Sequence, residues 1–265
     1  MTSSSEKRPY AFMPSTGRES DVKDFFKVVQ LKSMHKNSHS KPMFTPVFES
    51  WAQRKQFYDL ALAEKTKLEA QVKVKGMRKE KRKQTRRELD ATTHLVNASW
   101  GGVFGSGLGS TAKTSFAGLK SPRVYVWGHG TPGGDKLGGE RGFESIATSL
   151  QKMRLPNTSD VRVDSCWSGV GPDFTKTHSK DVLSAAFHRN SLEPLADKTR
   201  SFAAKLHSKL KEGGFEGTTT GYLGATSFGA IRVEQAGLSD KGTHFAATLA
   251  PGLDVRRSQA KITFK

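Results

Sequence analysis

From Thr92 onward, short runs of β-branched and aromatic residues alternate with stretches that are apolar at helical spacing, and no other feature restricts the fold as much. Val124, Tyr125, Val126 and Trp127 follow one another directly and end at Gly128, the signature of a buried strand. Phe143, Ile146, Ala147, Leu150 and Met153 mark one face of a helix that ends before Pro156. Val161–Asp164 leads into a second strand running to Cys166. Phe202, Ala203, Leu206 and Leu210 mark a second helix, halted by Gly213 and Gly214. Leu95–Ala98 reads as an earlier strand, and Gly221–Ala225, Ile231–Val233 and His244–Leu249 as later ones. Strands separated by single helices close right-handed crossovers. The expected class for residues 92–265 is therefore α/β, with a mainly parallel sheet flanked by helices.

The first 91 residues read differently. Residues 1–46 are rich in Ser, Lys, Asn and His, with one apolar cluster at Phe25, Phe26, Val28, Val29 and Leu31, and are expected to be mostly flexible. Residues 47–91 form a basic helical region: Val47, Trp51, Tyr58 and Leu62 recur at four- and seven-residue steps, and Gly76 is the expected break between two helices. Within it, Lys73–Arg87 holds nine Lys or Arg against Glu80 alone. The chain has 43 Lys and Arg against 25 Asp and Glu, a net charge of +18, which attracts polyanions. A solvated helix and a phosphate-docking surface are both compatible with this run. On the second reading Lys79, Lys81, Arg82, Lys83, Arg86 and Arg87 hold the polyanion, an inositol phosphate or a nucleic acid.

The chemistry gathers at two strand ends. Val124–Trp127 runs into Gly128-His129-Gly130, and Val161–Asp164 runs into Ser165-Cys166-Trp167-Ser168-Gly169. In an open α/β sheet the carboxyl ends of the strands border the ligand crevice. If the two strands are neighbours joined by the Phe143 helix, His129 and Cys166 project from one edge, the minimum set for thiol catalysis. Gly130 can present its N–H unobstructed as an oxyanion donor, and the Cys166 N–H can be the second. The alternative is a buried structural cysteine and a hydrogen-bonded loop histidine. Asp164 should face the same side as the thiol, where it either orients His129, contacts a basic substrate residue, or caps the following turn. Trp127 and Trp167 either wall a substrate pocket or pack in the core. Ser165 and Ser168 read as turn residues bonded to backbone.

An apolar strand ending in His-Gly, then a helix, then an apolar strand ending in Cys, resembles the caspase-like cysteine peptidases. That family includes caspases, clostripain, gingipains, legumains, separases and the autoprocessing domains of bacterial toxins. The likeness spans Leu95–Ser227, and Gly128-His129-Gly130 with Ser165-Cys166 is most similar to the toxin and effector branches. The resemblance implies that Cys166 attacks a peptide carbonyl, that His129 protonates the leaving amine, and that the Gly130 and Cys166 amides hold the oxyanion. No cofactor is required. The substrate would be a protein, the chain itself included. Some toxin relatives are switched on by inositol hexakisphosphate, an activator that the positive charge would suit. The resemblance also implies delivery into a host cell without a cleavable signal. The Gln-Ala-Cys-Arg-Gly signature of caspases is absent, so aspartate specificity does not transfer. A catalytically inert caspase-like scaffold that binds polyanions, and an acyl transferase using the same thiol, are the competing expectations.

Other motifs fail on spacing. Gly101–Gly109 with Lys113 and Thr114 lacks the glycine that must precede the lysine of a phosphate loop, Ala112 standing there. Cys166 is the single cysteine, which excludes an internal disulfide framework. No apolar run approaches the length of a membrane span, and the chain is expected to be soluble.

Overall fold

A computed structural model describes residues 9–14, 18–37, 40–101, 116–138, 140–188, 192–231, 244–251 and 253–265. The chain divides into two compact units, Met1–Tyr125 with Met153–Pro156, and Val126–Lys152 with Asn157–Lys265.

The first unit contains strand β1 (Pro9–Phe12), helix α1 (Glu19–Asn37), strand β2 (Thr45–Val47), and helices α2 (Trp51–Val72) and α3 (Lys79–Gly101). β1 and β2 pair in parallel, with Tyr10 opposite Thr45, and every residue of both is buried. Such continuous burial belongs to strands covered on both faces. Phe25, Phe48 and Phe57 form a cluster with ring centroids 5.1–6.1 Å apart, and Phe12, Met13, Leu68 and Leu95 are fully buried as well. Ser50 caps α2 by accepting from the Gln53 N–H, while the Gln53 side chain accepts from the Glu49 N–H, so two donors at the helix start are satisfied.

Two expectations are corrected here. Residues 1–46 are not a flexible leader in their described part: they supply β1, the first two residues of β2, and α1, whose Val22, Phe25, Phe26, Val28 and Val29 are buried. The apolar residues are confined to a short cluster and the buried face goes on into the polar Lys32 and Ser33, which hid the helix. Leu95–Ala98 is not a strand but part of α3, on whose buried side Ala91, Leu95 and Ser99 recur every four residues. Gly76, by contrast, does mark the break between α2 and α3, in the left-handed conformation at φ +79°.

Strand β3 (Arg123–Trp127) contributes Arg123–Tyr125 to the first unit, in the order β3-β1-β2, and Val126 and Trp127 to the second. The second unit continues with β4 (Lys136–Leu137), β5 (Arg141–Gly142), α4 (Phe143–Lys152), β6 (Asp160–Asp164), α5 (Phe174–Thr177), α6 (Lys180–His188) and α7 (Phe202–Glu212). β7 (Thr218–Tyr222), β8 (Ala225–Ile231), β9 (His244–Ala250), β10 (Leu253–Arg256) and β11 (Lys261–Phe264) complete it. Its sheet has the order β11-β7-β6-β3, with β6 parallel to β7 and β11 antiparallel to it. β8, β9 and β10 form a separate antiparallel sheet. The protein is thus α/β, and the helix expected between the His and Cys strands is α4. Gly102–Ser115, holding the failed phosphate loop, and residues 232–243, holding part of one expected strand, lie outside the described residues. Among the described residues no helix is long and apolar enough to cross a membrane.

α4 and α7 pack together, with the Phe143 and Phe202 rings 6.4 Å apart, and Ile146, Ala147, Leu150, Phe202, Ala203, Leu206 and Leu210 are buried. Each large aliphatic side chain buried this way stabilises by about 1.5–3 kcal/mol. α7 also buries His207, whose Nδ1 lies 3.1 Å from Thr219 Oγ1. Burial holds the imidazole below its ordinary value, Lys211 adds to this, and the Lys265 backbone opposes it. A folded-state pKa below the unfolded one means that the unfolded chain takes up the proton first. Stability from this site is therefore complete above about pH 6.5 and falls as the pH is lowered. Thermal melting of wild type should drop between pH 7.5 and 5 by more than that of His207→Gln, and equal pH dependence would contradict the assignment.

Candidate functional site

β3 and β6 are neighbours in the sheet, and the segments that follow them, after His129 and at Cys166, approach one another. The decisive contact is at Gly130. A Cβ built there would stand 2.6 Å from the Cys166 carbonyl oxygen and in closer overlap with Ser165 Oγ. No side chain fits, so only glycine lets the segment after His129 close on the segment that carries the thiol. His129 is exposed and Cys166 is half-buried, so neither is sealed in the core.

The histidine segment is held on three sides. The His129 ring meets Trp127 edge-on, with centroids 5.3 Å apart at 68°. Its carbonyl accepts from the Gly138 N–H at 2.8 Å. A Cβ on Gly128 would lie 2.8 Å from Cβ of the buried Leu137. Farther on, Gly133, at φ +64°, packs against Pro172, so the loop after the histidine also abuts the chain that follows the cysteine.

Ser168 organises the cysteine turn. Its hydroxyl lies 3.0 Å from the Val163 carbonyl and 3.2 Å from that of Ser165, and it accepts from the Tyr222 N–H at 3.0 Å. Trp167 and Gly169 donate their N–H groups to Gly224 and Tyr222, both at 2.9 Å. Trp167 itself is left-handed at φ +58°, a conformation that bulky side chains seldom adopt and that persists only where surrounding contacts enforce it. The residue next to the only thiol thus sits on a sharp, strained turn. Ser165 and Ser168 are turn residues, in line with the sequence reading.

Of the three residues expected to line a substrate pocket, two are buried and the third borders a pocket. Asp164 is corrected: it is 2% exposed and forms an ion pair with Arg257, itself stacked 4.0 Å above the Tyr222 ring. A carboxylate so enclosed neither meets substrate nor faces the crevice. Trp127 is also corrected, because it is 4% exposed and its contact with the site is as packing beneath His129. Trp167 does line a pocket of about 430 Å³, together with Phe174, His178, Leu183, Leu249 and Pro251. Nothing in the sequence motif pointed to these partners, which come from α5, α6 and β9.

The basic run lies in the first unit. Lys79, Lys81, Lys83, Arg86 and Arg87 of α3 are exposed and Arg82 is half-buried, its Nη2 donating to the Val74 carbonyl at 3.3 Å. Among the described residues no cluster of three or more His, Cys, Asp or Glu is placed to hold a metal ion.

The Gly130 contact can be measured. Gly130→Ala forces a methyl group into occupied space, and overpacking of this kind costs about 1–3 kcal/mol. Urea unfolding should show that loss, and Ser165→Ala should restore only part of it, because the Cys166 carbonyl remains in the way. A fully stable Gly130→Ala protein would mean that the two segments are not closed on one another. No family model, no curated protein and no solved structure matches this chain.

Proposed function

We propose that the chain is a caspase-like cysteine endopeptidase in which Cys166 and His129 cleave a peptide bond in the chain itself or in a target protein. The observation that supports this reading is the closed contact of Gly130 on Ser165 and Cys166. It joins a solvent-exposed imidazole and an accessible thiol at one sheet edge, where α/β proteins place their ligands.

The chemistry follows from those two groups. Cys166 Sγ, its proton passed to the imidazole or to solvent, attacks the carbonyl carbon, and the negative charge moves to the carbonyl oxygen. The Gly130 and Cys166 amides are the donors assigned to that oxygen. The C–N bond then breaks as the His129 imidazolium protonates the leaving amine. Water attacks the resulting thioester, giving a free carboxylate and restoring the thiol. The strained Trp167 turn supports the reading because such strain gathers at reactive positions. The pocket beside Trp167 suits an apolar substrate side chain.

A peptide-based electrophile such as an acyloxymethyl ketone tests this directly. The expected result is a single covalent adduct on Cys166, located by mass spectrometry, together with loss of cleavage. Products formed in ¹⁸O-labelled water should carry the label at the new carboxyl terminus, which separates hydrolysis from acyl transfer. Alkylation of Cys166 by iodoacetamide, with no reaction toward any peptide electrophile, would leave the thiol without a catalytic role.

A further inference from the structure

The α2–α3 hairpin carries two kinds of cation. On α2, Lys55, Lys65 and Lys67 each pair with a carboxylate about one turn away, Asp59 at 2.6 Å, Glu69 at 3.0 Å and Glu64 at 3.1 Å. Between Lys73 and Arg87 the pattern stops. Among the described residues, none of the nine Lys and Arg in this stretch shares an ion pair, and eight of the nine are exposed. Lys79, Lys83, Arg86 and Arg87 fall on one face of α3, opposite the buried Thr85. They extend over about 12 Å of helix axis. Lys73, Lys75 and Arg78 prolong the charge into the connecting loop, which the Arg82 bond to Val74 ties back onto α3.

Like charges one turn apart, such as Lys79 with Lys83 and Lys83 with Arg87, destabilise a helix by a few tenths of a kcal/mol each. The hairpin neutralises its charge on α2 and leaves it bare here, so this face is built for an anion that comes from outside. We propose that it binds the phosphodiester backbone of double-stranded nucleic acid, without reading base sequence.

Three features select that partner. Lys79–Arg87 contains no apolar residue, whereas a helix lying on a membrane needs an apolar face to bury among the acyl chains. The cations form a convex line, not a cup around one small polyphosphate, and a duplex presents a charge every ~1.7 Å, so 12 Å faces about seven of them. No Phe, Tyr or Trp occurs between Asp59 and Ser99, so the hairpin offers no platform on which unpaired bases could stack. This proposal is independent of the peptidase reading, because neither His129 nor Cys166 belongs to the hairpin.

Fluorescence anisotropy of the full chain with a fluorescent 20-base-pair duplex, titrated at 50 to 200 mM NaCl, tests it. Four phosphate contacts predict a slope of log K against log salt of about −3.6, an affinity loss of about 150-fold across that range. In a variant with Lys79, Lys83, Arg86 and Arg87 all changed to Gln, the slope should shrink by most of that amount while circular dichroism and melting stay unchanged. Two duplexes of unrelated sequence should bind within about twofold of each other. An unaltered slope in the variant, a strong sequence preference, or binding to phosphatidylserine vesicles or inositol hexakisphosphate in place of the duplex would each overturn the proposal. Should the quadruple variant unfold, the double variant Lys83→Gln/Arg87→Gln should lose about half as much slope, and an unchanged slope there would be equally decisive.

Discussion

Cys166→Ala is expected to abolish peptide-bond cleavage, with a loss on the order of 10⁶-fold, the size seen when a hydrolase loses its nucleophile. His129→Ala should lose less, about 10²–10⁴-fold, since an acid–base group accelerates proton transfer without forming the bond to substrate. Mass spectrometry of the purified wild-type chain beside both variants reads self-cleavage, and amino-terminal profiling of a cell lysate reads cleavage of other proteins. The histidine variant carries the sharper information. Its thiol should still alkylate with iodoacetamide, because Cys166 remains half-exposed, while turnover is lost. If wild type and Cys166→Ala give identical fragments in both assays, the peptidase proposal fails and the thiol has only a place in the fold. If His129→Ala cleaves as fast as wild type, the acid is another group and the pairing of the two strand ends carries no chemistry.

Why these two residues were visible in the sequence, while their supports were not, has a local explanation. Val124–Trp127 and Val161–Asp164 are uninterrupted or alternating apolar runs that end in glycine or a polar turn, so strand, strand end and the residue just beyond are set by neighbours along the chain. Leu95–Ala98 misled because three apolar residues around Asn97 fit either a strand or one turn of a helix. Only the four-residue recurrence of Ala91, Leu95 and Ser99, diluted by the polar first half of α3, decides it. Pro9–Phe12 is shorter than a pattern can support, and it becomes a strand by pairing with Thr45–Val47 across an intervening helix. Ser168 announced itself as a turn residue by type, but its acceptance from Tyr222 depends on a strand more than fifty residues away. The pocket beside Trp167 draws on three separate elements and has no linear signature at all.

Arg257 is the other support without a local signal, and removing its charge partner should have the largest effect on stability. Asp164 is 2% exposed and Arg257 8%, and the guanidinium lies 4.0 Å over the Tyr222 ring. Breaking such a pair leaves the remaining charge buried without its oppositely charged partner, which costs about 3–5 kcal/mol. Asp164→Ala and Arg257→Ala should each show a loss of this size in urea unfolding. The double variant Asp164→Leu/Arg257→Met should lose less than either single change, because no buried charge is then left over. The site should register the same break. Asp164 is the last residue of β6, two before the thiol, and Arg257 sits in the turn between β10 and β11, where its carbonyl accepts from Ala260 while the Ala260 carbonyl accepts from Leu223. The pair therefore fixes the end of the cysteine strand against the turn that also holds the chain just beyond Tyr222. Arg257→Ala should loosen the Cys166 turn and speed alkylation of the thiol, with iodoacetamide rates as the readout. Single variants as stable as wild type, or a double variant worse than their sum, would show that the pair is not the brace between β6 and the carboxyl-terminal turn.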